Sequence, residues 1–480
     1  MRKPMNQQFK KIDSQDIAFF RKVVGDAFML THPEALANYA KDETPDETLR
    51  HLPEVVVKPK TVEEIQEIMR YCFEKSIPVT PRGAGSGLSG GAIPAQGGVI
   101  LSLERMNRIL EIDRENFIVV VEPGVITNEI NRKLKEFGLF YAGYPMSLET
   151  CQIGGNIAEN AGGGKAVKYG VTGHYVRGLE IVTSWGEVLC FGGKTQKDVT
   201  GYDILHLLVG SEGTLAIVTK IYLRVLPRPR ERAVLLCPFS SIEAALRTPW
   251  LIMGELGVVP AAIELMSRQS LEFAYQYCDS TYPFQDAPCH LLVEIDGQSE
   301  EEVFSVYRLI GEKLLAEGAQ EVFVADESSS AEEIWKIRRA IPEAIHQTLP
   351  LEINEDVSLP LAALYDFVRF IERLSKENNL LAPFYGHLGD GNLHVTLAPL
   401  KSTGWETLEP ELRKKFYQEV KRLGGALTGE HGVGLKRKEY LPLFLGPAEL
   451  RLLQKIKQVF DPKGILNPGK IFPEQVTPKE

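Results

Sequence analysis

The pattern of apolar and polar positions divides the first 227 residues into short strands, helices and glycine-rich turns. The β-branched run PEVVVKP at 53–59 predicts a strand, and apolar positions at helical spacing predict a helix over Thr61–Lys75. A second strand, Ile77–Thr80, leads directly into the sequence PRGAGSG. Further strands are predicted at 99–103, 117–122, 178–183, 188–191 and 215–225, with a helix near 126–137. This order is typical of a small α+β layer.

A change of pattern after Pro227 indicates a second domain. The charged sequence RPRER at 228–232 marks the predicted boundary. The elements predicted beyond it are strands at 233–237 and 290–294 and helices at 241–256, 300–317 and 447–460. Their β-α-β recurrence predicts an antiparallel sheet backed by helices.

Length and charge set broad limits on function. A chain of 480 residues is too long for one core, so two or three domains are expected. The hydrophobic content of 44% and the charged content of 25% are ordinary for a globular protein. The net charge of −10 argues against a nucleic-acid partner, because phosphate binding needs a basic surface, although a few local cations suffice for a small anionic substrate.

The cysteines and the lengths of the apolar segments indicate the cellular compartment and the redox chemistry of the chain. Six cysteines lie far apart without a CxxC motif, which argues against a cysteine-ligated iron–sulfur cluster on this chain and favours reduced thiols in the cytoplasm. The basic N-terminus lacks the continuous apolar core of a secretory signal. No stretch approaches the ~20 apolar residues of a membrane span, so we expect a soluble, cytoplasmic protein.

Two segments carry histidines and a carboxylate in turn-rich sequence. In YGHLGDGNLH, at 385–394, Asp390–Gly391 is a favoured two-residue hairpin turn that sets His387 directly opposite His394. Opposed Cβ atoms lie roughly 4.5–5.5 Å apart, close enough for two imidazoles to share one metal ion. TGEHGVG, at 428–434, adds Glu430 and the adjacent imidazole of His431. We expect a His387/His394/Glu430 site with open positions, Zn²⁺ before Fe²⁺ or Mn²⁺, and a base beside it.

Glycine-rich segments suggest a place for a large planar or anionic group. PRGAGSGLSGG, at 81–91, precedes another strand and not a helix, so it is not the GxGxxG dinucleotide fingerprint. Glycine allows positive φ, and successive N–H groups can then converge on an anion such as a pyrophosphate. A second glycine region at 143–173 and a third, GSEGT at 210–214, let a planar ring lie against the main chain.

Taken together, PRGAGSGLSGG, CQIGGNIAENAGG, GYDILHLLVGSEGTLAIVT and FDPKGILNPGK resemble the flavin oxidoreductases of the vanillyl-alcohol-oxidase and p-cresol-methylhydroxylase type. HLGDGNLH with GEHGVG resembles their FAD-linked D-2-hydroxy-acid dehydrogenase branch, which includes the glycolate oxidase catalytic subunit, D-lactate dehydrogenase and D-2-hydroxyglutarate dehydrogenase. The resemblance implies an N-terminal helical segment at 1–50, a two-subdomain FAD-binding domain at 51–228, an α+β substrate-cap domain at 229–425 that contains the metal hairpin, and a C-terminal segment at 426–480 that returns to the FAD.

The resemblance also implies which residues hold the cofactor. The loop Arg82, Gly83, Ala84, Gly85, Ser86 and Gly87 is expected to wrap the FAD pyrophosphate. The remaining FAD contacts are expected from Pro145, Thr150, Gly154, Gly155, Gly162, Gly170 and Ile217. Some relatives attach FAD covalently through a histidine four residues after the loop arginine. That position is Ser86 here, so non-covalent FAD is expected.

The chemistry expected at the metal site is oxidation of a 2-hydroxy acid to the 2-keto acid. A metal lowers the pKa of a coordinated hydroxyl, the imidazole of His431 then takes the proton, and the hydride passes to flavin N5. The substrate carboxylate needs a cation, and Arg338 in WKIRR matches the W-x-x-R element of the family. Asn392, within the metal hairpin, is expected to help orient the carboxylate.

Two departures from the family bear on substrate size. Relatives that accept a second, distal carboxylate carry a lysine two residues before Asp356 and a threonine four residues after the cap arginine. This chain has Asn354 and Pro342 at those positions. A small acid, glycolate or D-lactate, is therefore favoured over D-2-hydroxyglutarate, with Lys336 and Arg339 as alternative cations for a dicarboxylate.

The sequence alone leaves two other functions to consider and does not identify the electron acceptor. A flavin-dependent transferase like the alkyl-glycerone-phosphate synthases needs a phosphate pocket and has no use for the metal set, and a non-catalytic FAD-binding subunit could dispense with the histidines. An oxidoreductase without its own iron–sulfur motif must pass electrons to a quinone, a cytochrome, an iron–sulfur partner subunit or oxygen. Such a partner could hold the protein peripherally at a membrane, and homo-oligomers are possible.

Overall fold

The computed structural model describes residues 9–280 and 285–473. The extreme ends of the expected N-terminal and C-terminal segments, 1–8 and 474–480, lie outside the described residues. The chain forms two compact units. Unit 1 comprises the described parts of Met1–Ala161, Val171–Pro227 and His431–Glu480, and unit 2 comprises Gly162–Gly170 and the described parts of Arg228–Glu430.

Unit 1 contains two principal sheets. The first has the strand order Met29–Leu30, Val55–Val57, Val99–Ser102, Val79–Arg82, and its last three strands are parallel. The second is antiparallel, in the order Ile109–Asp113, Ile118–Val121, Ile217–Arg224, Val176–Val182, Val188–Gly192. A short ribbon pairs Leu139–Phe140 with Leu226–Pro227. The predicted strands of this region are therefore present, with ends shifted by a few residues.

Eight α-helices belong to unit 1 in the part of the chain that the structure describes. They are Ser14–Val24, Pro33–Ala37, Val62–Lys75, Thr127–Lys135, Ile153–Glu159, Ile204–Leu208, Leu441–Phe444 and Pro447–Phe460. Val62–Lys75 begins at Thr61, whose hydroxyl accepts from Glu64 N, and turns Ile65, Ile68 and Met69 into the core. The C-terminal segment joins this core, because Val79 N donates to Ile465 O and Asn467 N donates to Val79 O.

Unit 2 is built on one antiparallel sheet, as the sequence predicts. The eight-stranded sheet has the order Phe323–Ala325, Glu231–Phe239, Cys289–Gly297, Ala262–Ser267, Phe384–His387, Asn392–Pro399, Ile353–Ser358, and Leu380–Leu381 pairs with Asn392–Pro399. Its helices are Ala166–Tyr169, Ile242–Leu246, Arg268–Tyr277, Glu300–Ala316, Ser328–Thr348, Leu364–Asn378 and Trp405–Arg422. The predicted α+β class with an antiparallel sheet in the cap region is confirmed.

One predicted helix, 241–256, is broken. Ile242–Leu246 is α-helical, and a π-helical turn follows at Trp250–Glu255 after Pro249. Proline lacks the N–H that a continuous helix would use, which explains the interruption. Among the described helices, none is long and apolar enough to cross a membrane. All six cysteines are free thiols.

Candidate active site

The histidine-bearing hairpin of unit 2 has a different register from the predicted one. Tyr385 pairs with His394, and His387 pairs with Asn392. The prediction of a two-residue turn at Asp390–Gly391, with His387 directly opposite His394, is therefore wrong. The two strands are joined instead by the four residues 388–391.

Gly391 and the neighbouring residue Leu359 explain why the loop is longer than predicted. Residues 388–390 form a 3₁₀ turn, and Gly391 continues it at φ 80°, a conformation that favours glycine. Leu359 N donates to Gly391 O, and a Cβ at Gly391 would lie 2.2 Å from Leu359 O. The pairing shifts by two positions, and an even shift keeps each side chain on its predicted face. His387 and His394 are thus diagonal neighbours, with ring centroids 5.5 Å apart.

The three predicted metal ligands converge within unit 2. The ligand atoms of His387, His394 and Glu430 all lie within 4.8 Å of one another. Glu430 Oε1 is 3.7 Å from His387 Nε2 and 3.4 Å from His394 Nε2. His387 Nε2 is buried and has no hydrogen-bond partner among the described residues. Two imidazoles and a carboxylate at this spacing fit a divalent ion such as Zn²⁺, Fe²⁺ or Mn²⁺.

Glu264 orients the imidazole of His387 from its other side. Its Oε1 lies 2.7 Å from His387 Nδ1, and the carboxylate is completely buried in the strand Ala262–Ser267. A hydrogen bond from Nδ1–H leaves the Nε2 lone pair for a metal, as in many metal-binding histidines. Burial alone would lower the pKa of His387, but the charges of Glu264 and Glu430 outweigh it and hold this pKa well above its usual value.

Arg338 lies beside the same carboxylate. Its Nε and Nη2 approach Glu264 Oε2 at 2.7 and 2.6 Å, and its guanidinium stacks on Tyr385 at 4.9 Å from the ring centroid. The side chain is only 2% exposed, whereas Lys336 and Arg339 are exposed and Arg339 pairs with Glu332. Burial would raise the pKa of Glu264, but the charges of His387 and Arg338 lower it overall.

Asp356 anchors the segment that carries Glu430. Its Oδ2 accepts hydrogen bonds from Thr428 Oγ1 at 2.7 Å and from the backbone N–H groups of Gly429 and Glu430 at 3.0 Å each. Asp356 is fully buried in the strand Ile353–Ser358. The position of the TGE loop therefore depends on one carboxylate in a neighbouring strand.

Asn392 faces Asp356 through its amide nitrogen. Nδ2 donates to Asp356 Oδ1 at 2.6 Å and to Val357 O at 3.0 Å, while Oδ1 is buried without a partner among the described residues. The opposite amide orientation would set two acceptors against each other. Both N–H bonds are thus used within the protein, so the geometry counts against donation to a substrate carboxylate and leaves Oδ1 as an acceptor.

His431, the expected base, begins the C-terminal segment of unit 1 and is partly exposed. The peptide bond to Glu430 keeps the two Cα atoms about 3.8 Å apart. This covalent adjacency ties a candidate base to a candidate metal ligand.

Glu264, Asp356 and Tyr385 are not among the site residues predicted from the sequence. A signal exists for Glu264, which is the one acid in the largely apolar strand Ala262–Ser267. Asp356 lies in the polar sequence INEDVS beside Glu355, so the pattern does not set it apart. Lone carboxylates in buried strands need partners, and those partners are often functional. Tyr385 carries no such signal, since an aromatic residue in a strand is ordinary.

In unit 1, the PRGAGSG loop is braced from within by Arg82. Its Nη1 donates to Lys41 O at 2.8 Å and to Ala92 O at 3.3 Å, and the side chain is buried. Gly85 has φ 77°, and a Cβ there would lie 2.1 Å from Arg82 Nη2. The loop therefore requires glycine at this position, and it presents main chain along Gly83, Ala84, Ser86 and Gly87.

A second glycine segment lies against the first. A Cβ at Gly83 would be 3.3 Å from Gln152 Oε1 and 3.8 Å from Gly155 N, whereas a Cβ at Gly155 would meet nothing within 4 Å. This leaves an open surface lined by main chain, which fits a phosphate or a planar ring. Gly154 is required for a different reason. A Cβ at this position would lie 2.6 Å from Pro123, so glycine is needed here for packing.

The other expected cofactor residues lie in different environments. Ile217 is packed in the hydrophobic core of unit 1, so only its main chain is available. Pro145 and Thr150 also lie in unit 1, and Thr150 Oγ1 donates to Ser147 O. Gly162 and Gly170 belong to unit 2, at the ends of its short first segment.

The C-terminal NPGK sequence holds the glycine loop in place. Asn467 Nδ2 donates to Gly91 O at 2.9 Å and to Glu212 O at 2.8 Å, and Lys470 Nζ donates to Ile93 O at 2.5 Å. Burial lowers the pKa of Lys470 to about 7. The return of the C-terminal segment to the first glycine loop is thus a direct contact within unit 1.

Comparison with known proteins defines the class. A family model described as FAD binding domain matches residues 53–192, and one described as FAD linked oxidases, C-terminal domain, matches residues 228–471. The structure also resembles p-cresol methylhydroxylase solved with substrate bound, at a TM-score of 0.76 and 20% identity over 95% of this chain and 96% of that one. The two family models show that the chain is an FAD-dependent oxidoreductase, and its fold is of the p-cresol methylhydroxylase type.

The chain belongs to the FAD-linked oxidase family, on the branch of the glycolate oxidase and D-lactate dehydrogenase type. It is 36% identical to a D-lactate dehydrogenase of Anaerostipes hadrus over 97% of this chain and 98% of that protein. It is 37% identical to the glycolate oxidase subunit GlcD of Bacillus subtilis over 90% and 92%. A mitochondrial D-2-hydroxyglutarate dehydrogenase of Rattus norvegicus is 32% identical over 97% and 86%.

Proposed function

We propose that this FAD-linked oxidoreductase is metal-dependent and oxidises a small D-2-hydroxy acid, glycolate or D-lactate, to the 2-keto acid. The observation that carries the proposal is the convergence of His387, His394 and Glu430, with His387 Nε2 buried and without a hydrogen-bond partner among the described residues. The relatives named D-lactate dehydrogenase and glycolate oxidase subunit support the substrate class.

In the proposed mechanism, His387, His394 and Glu430 hold a divalent ion, Zn²⁺ in the first place. When bound, the ion lowers the pKa of a hydroxyl and FAD accepts the hydride. His431 takes the hydroxyl proton, a task suited to an imidazole at neutral pH. Arg338 holds the substrate carboxylate, and Asn392 is revised from a carboxylate donor to an acceptor for a hydroxyl or water.

The domain roles and the cofactor contacts are part of the same proposal. Residues 51–228 bind FAD, 229–425 form the substrate cap, and 426–480 return to the FAD. The FAD is non-covalent, and it contacts the loop 82–87 and the segments around Pro145, Thr150, Gly155, Gly162 and Gly170. A separate acceptor receives the electrons, and the name of the Bacillus subtilis relative as a subunit supports a partner chain.

Anaerobic reduction of the bound flavin tests the proposal directly. The purified protein is mixed with D- and L-lactate, glycolate and D-2-hydroxyglutarate, and flavin absorbance is followed. Bleaching by glycolate or D-lactate, but not by L-lactate, is expected. If no 2-hydroxy acid bleaches the flavin of metal-replete protein, the proposal is wrong.

A further inference from the structure

A single buried carboxylate lies between the two halves of the proposed substrate site. Glu264 Oε1 accepts from His387 Nδ1 at 2.7 Å, and Glu264 Oε2 is 2.7 Å from Arg338 Nε and 2.6 Å from Nη2. The carboxylate is 0% exposed, and both of its oxygens are engaged. A proposed metal ligand and the proposed substrate cation are thus fixed by the same group.

The surroundings give Glu264 little freedom to move. It pairs with His387 across the strands Ala262–Ser267 and Phe384–His387. A Cβ at Gly164 would lie 2.9 Å from Glu264 Oε1, so the main chain closes that side. Tyr385 supports the guanidinium of Arg338 from its ring face. The carboxylate therefore acts as a rigid connector and not as a mobile counter-ion.

A second buried carboxylate near Glu264 has partners of a different kind. Glu294, on the next strand, is also fully buried and accepts from Trp335 Nε1 at 2.6 Å and from Lys165 at 2.7 Å. Trp335 and Arg338 lie one turn apart on the same helix. Within the part of the chain that the structure describes, Glu294 pairs with Trp335 and Lys165 and not with a proposed metal ligand, so it serves as a matched control.

We propose that Glu264 is a positioning residue that serves metal and substrate at once. It selects the His387 tautomer whose Nε2 can bind the metal, and it both orients Arg338 and offsets its charge. The two roles oppose each other electrostatically: the negative charge strengthens metal binding through His387 and weakens anion binding at Arg338. This inference rests on the proposed metal site. It names one residue that affects both the metal affinity of that site and the affinity of Arg338 for a carboxylate.

The isosteric variant Glu264→Gln separates the two roles. FAD-loaded protein is stripped with a chelator, and Zn²⁺ is titrated back against a competing metal indicator. Removing the partner of a metal-binding histidine typically costs 10–100-fold in affinity, so a loss of about that size is expected. Glu294→Gln should change the Zn²⁺ affinity less than about threefold, and both variants should keep their FAD and show thermal transitions that can be compared.

The second measurement is inhibition by propionate, a carboxylate without the reacting hydroxyl, at saturating Zn²⁺. Because Arg338 loses its counter-charge, propionate should bind Glu264→Gln roughly three- to tenfold more tightly than wild type. General damage to the site would weaken the binding of both Zn²⁺ and propionate. Tighter propionate binding together with weaker Zn²⁺ binding supports the proposal. Unchanged affinity for both ligands, or weaker binding of both, overturns it.

Glu264→Asp keeps the test decisive if the glutamine variant does not fold. It retains the charge but shortens the reach, so Zn²⁺ affinity should fall while propionate affinity stays within about twofold of wild type. Full Zn²⁺ affinity in Glu264→Asp would contradict the need for the carboxylate to reach His387. Wild-type protein that binds no Zn²⁺ would instead refute the proposed metal site itself, which keeps the two failures distinguishable.

Discussion

The amide of Asn392 donates to Asp356 Oδ1 at 2.6 Å, while Asp356 Oδ2 accepts the backbone N–H groups of Gly429 and Glu430. Asp356 therefore joins the hairpin that carries two proposed metal ligands to the loop that carries the third. The strand Ile353–Ser358 brings this carboxylate between the hairpin and the loop.

Asp356→Ala is expected to lose both stability and metal. The substitution removes the acceptor of Asn392 Nδ2, of Thr428 Oγ1 and of the backbone N–H groups of Gly429 and Glu430. An unpaired buried group costs about 1–3 kcal/mol, and the loop donors cost less because they are only partly buried. We expect the free energy of unfolding to fall by about 1–3 kcal/mol in chemical denaturation and the zinc content to drop in elemental analysis. Asp286→Ala, at an exposed carboxylate, should change neither.

The proposed metal can be removed without removing FAD, because the two groups use different residues. Chelation should abolish turnover while the flavin absorbance stays with the protein. His387→Ala and His394→Ala should each behave like the chelated wild type and contain little metal. His346→Ala, at a half-exposed histidine of the same unit, should keep the metal. Full activity in metal-free protein would mean that the hairpin is only structural.

His431 and Glu430 are adjacent but are expected to fail in different ways. A positioned general base contributes about 10²–10⁴-fold, so His431→Ala should slow flavin reduction by that factor with metal and FAD at full occupancy. Glu430→Gln should lower the metal content. Stopped-flow reduction together with elemental analysis distinguishes them, and the reverse pattern would exchange the two roles.

The proposal that FAD is bound non-covalently rests on Ser86 in the glycine loop. Acid or heat should release intact FAD into the supernatant, and the denatured protein band should show no flavin fluorescence in a gel. Fluorescence that remains with the denatured chain would contradict the proposal and would point to a linking residue elsewhere.

The sequence was most informative where local chemistry decides the structure. His387, His394 and Glu430 were predicted as one site from a glycine-rich hairpin and a second loop, and the described residues converge. The register was wrong by two positions, since a turn type depends on tertiary support. Leu359, which holds Gly391 in the left-handed conformation, is 32 positions earlier in the chain.

Residues that act through long-range pairing could not be placed from sequence. Glu264 reaches Arg338 and His387 across separations of 74 and 123 residues. Their meeting depends on which strands are neighbours in the sheet, and the sequence pattern predicted the antiparallel sheet but not its strand order. An acid inside an apolar strand signals a buried partner but does not identify it.

Preference for a small 2-hydroxy acid over D-2-hydroxyglutarate is the prediction that bears most on the biological role. Arg338 is the buried cation of its helix, and Glu264 already offsets its charge. This chain has Pro342 and Asn354 at two positions of the family resemblance. The relatives that accept a dicarboxylate are expected to carry threonine and lysine there. Lys336 and Arg339 are exposed, and Arg339 contacts Glu332.

A distal carboxylate would therefore enter the site without a paired cation, and a buried unpaired charge costs several kcal/mol. We expect kcat/KM for glycolate or D-lactate to exceed that for D-2-hydroxyglutarate by about tenfold or more in steady-state assays with an artificial acceptor. Asn354→Lys supplies one missing cation and should narrow the difference, whereas Lys336→Ala should leave it unchanged. If kcat/KM of the wild type is about tenfold higher for D-2-hydroxyglutarate, this assignment is wrong. In that case, a variant among Lys336→Ala and Arg339→Ala that loses activity on the dicarboxylate would identify the cation responsible.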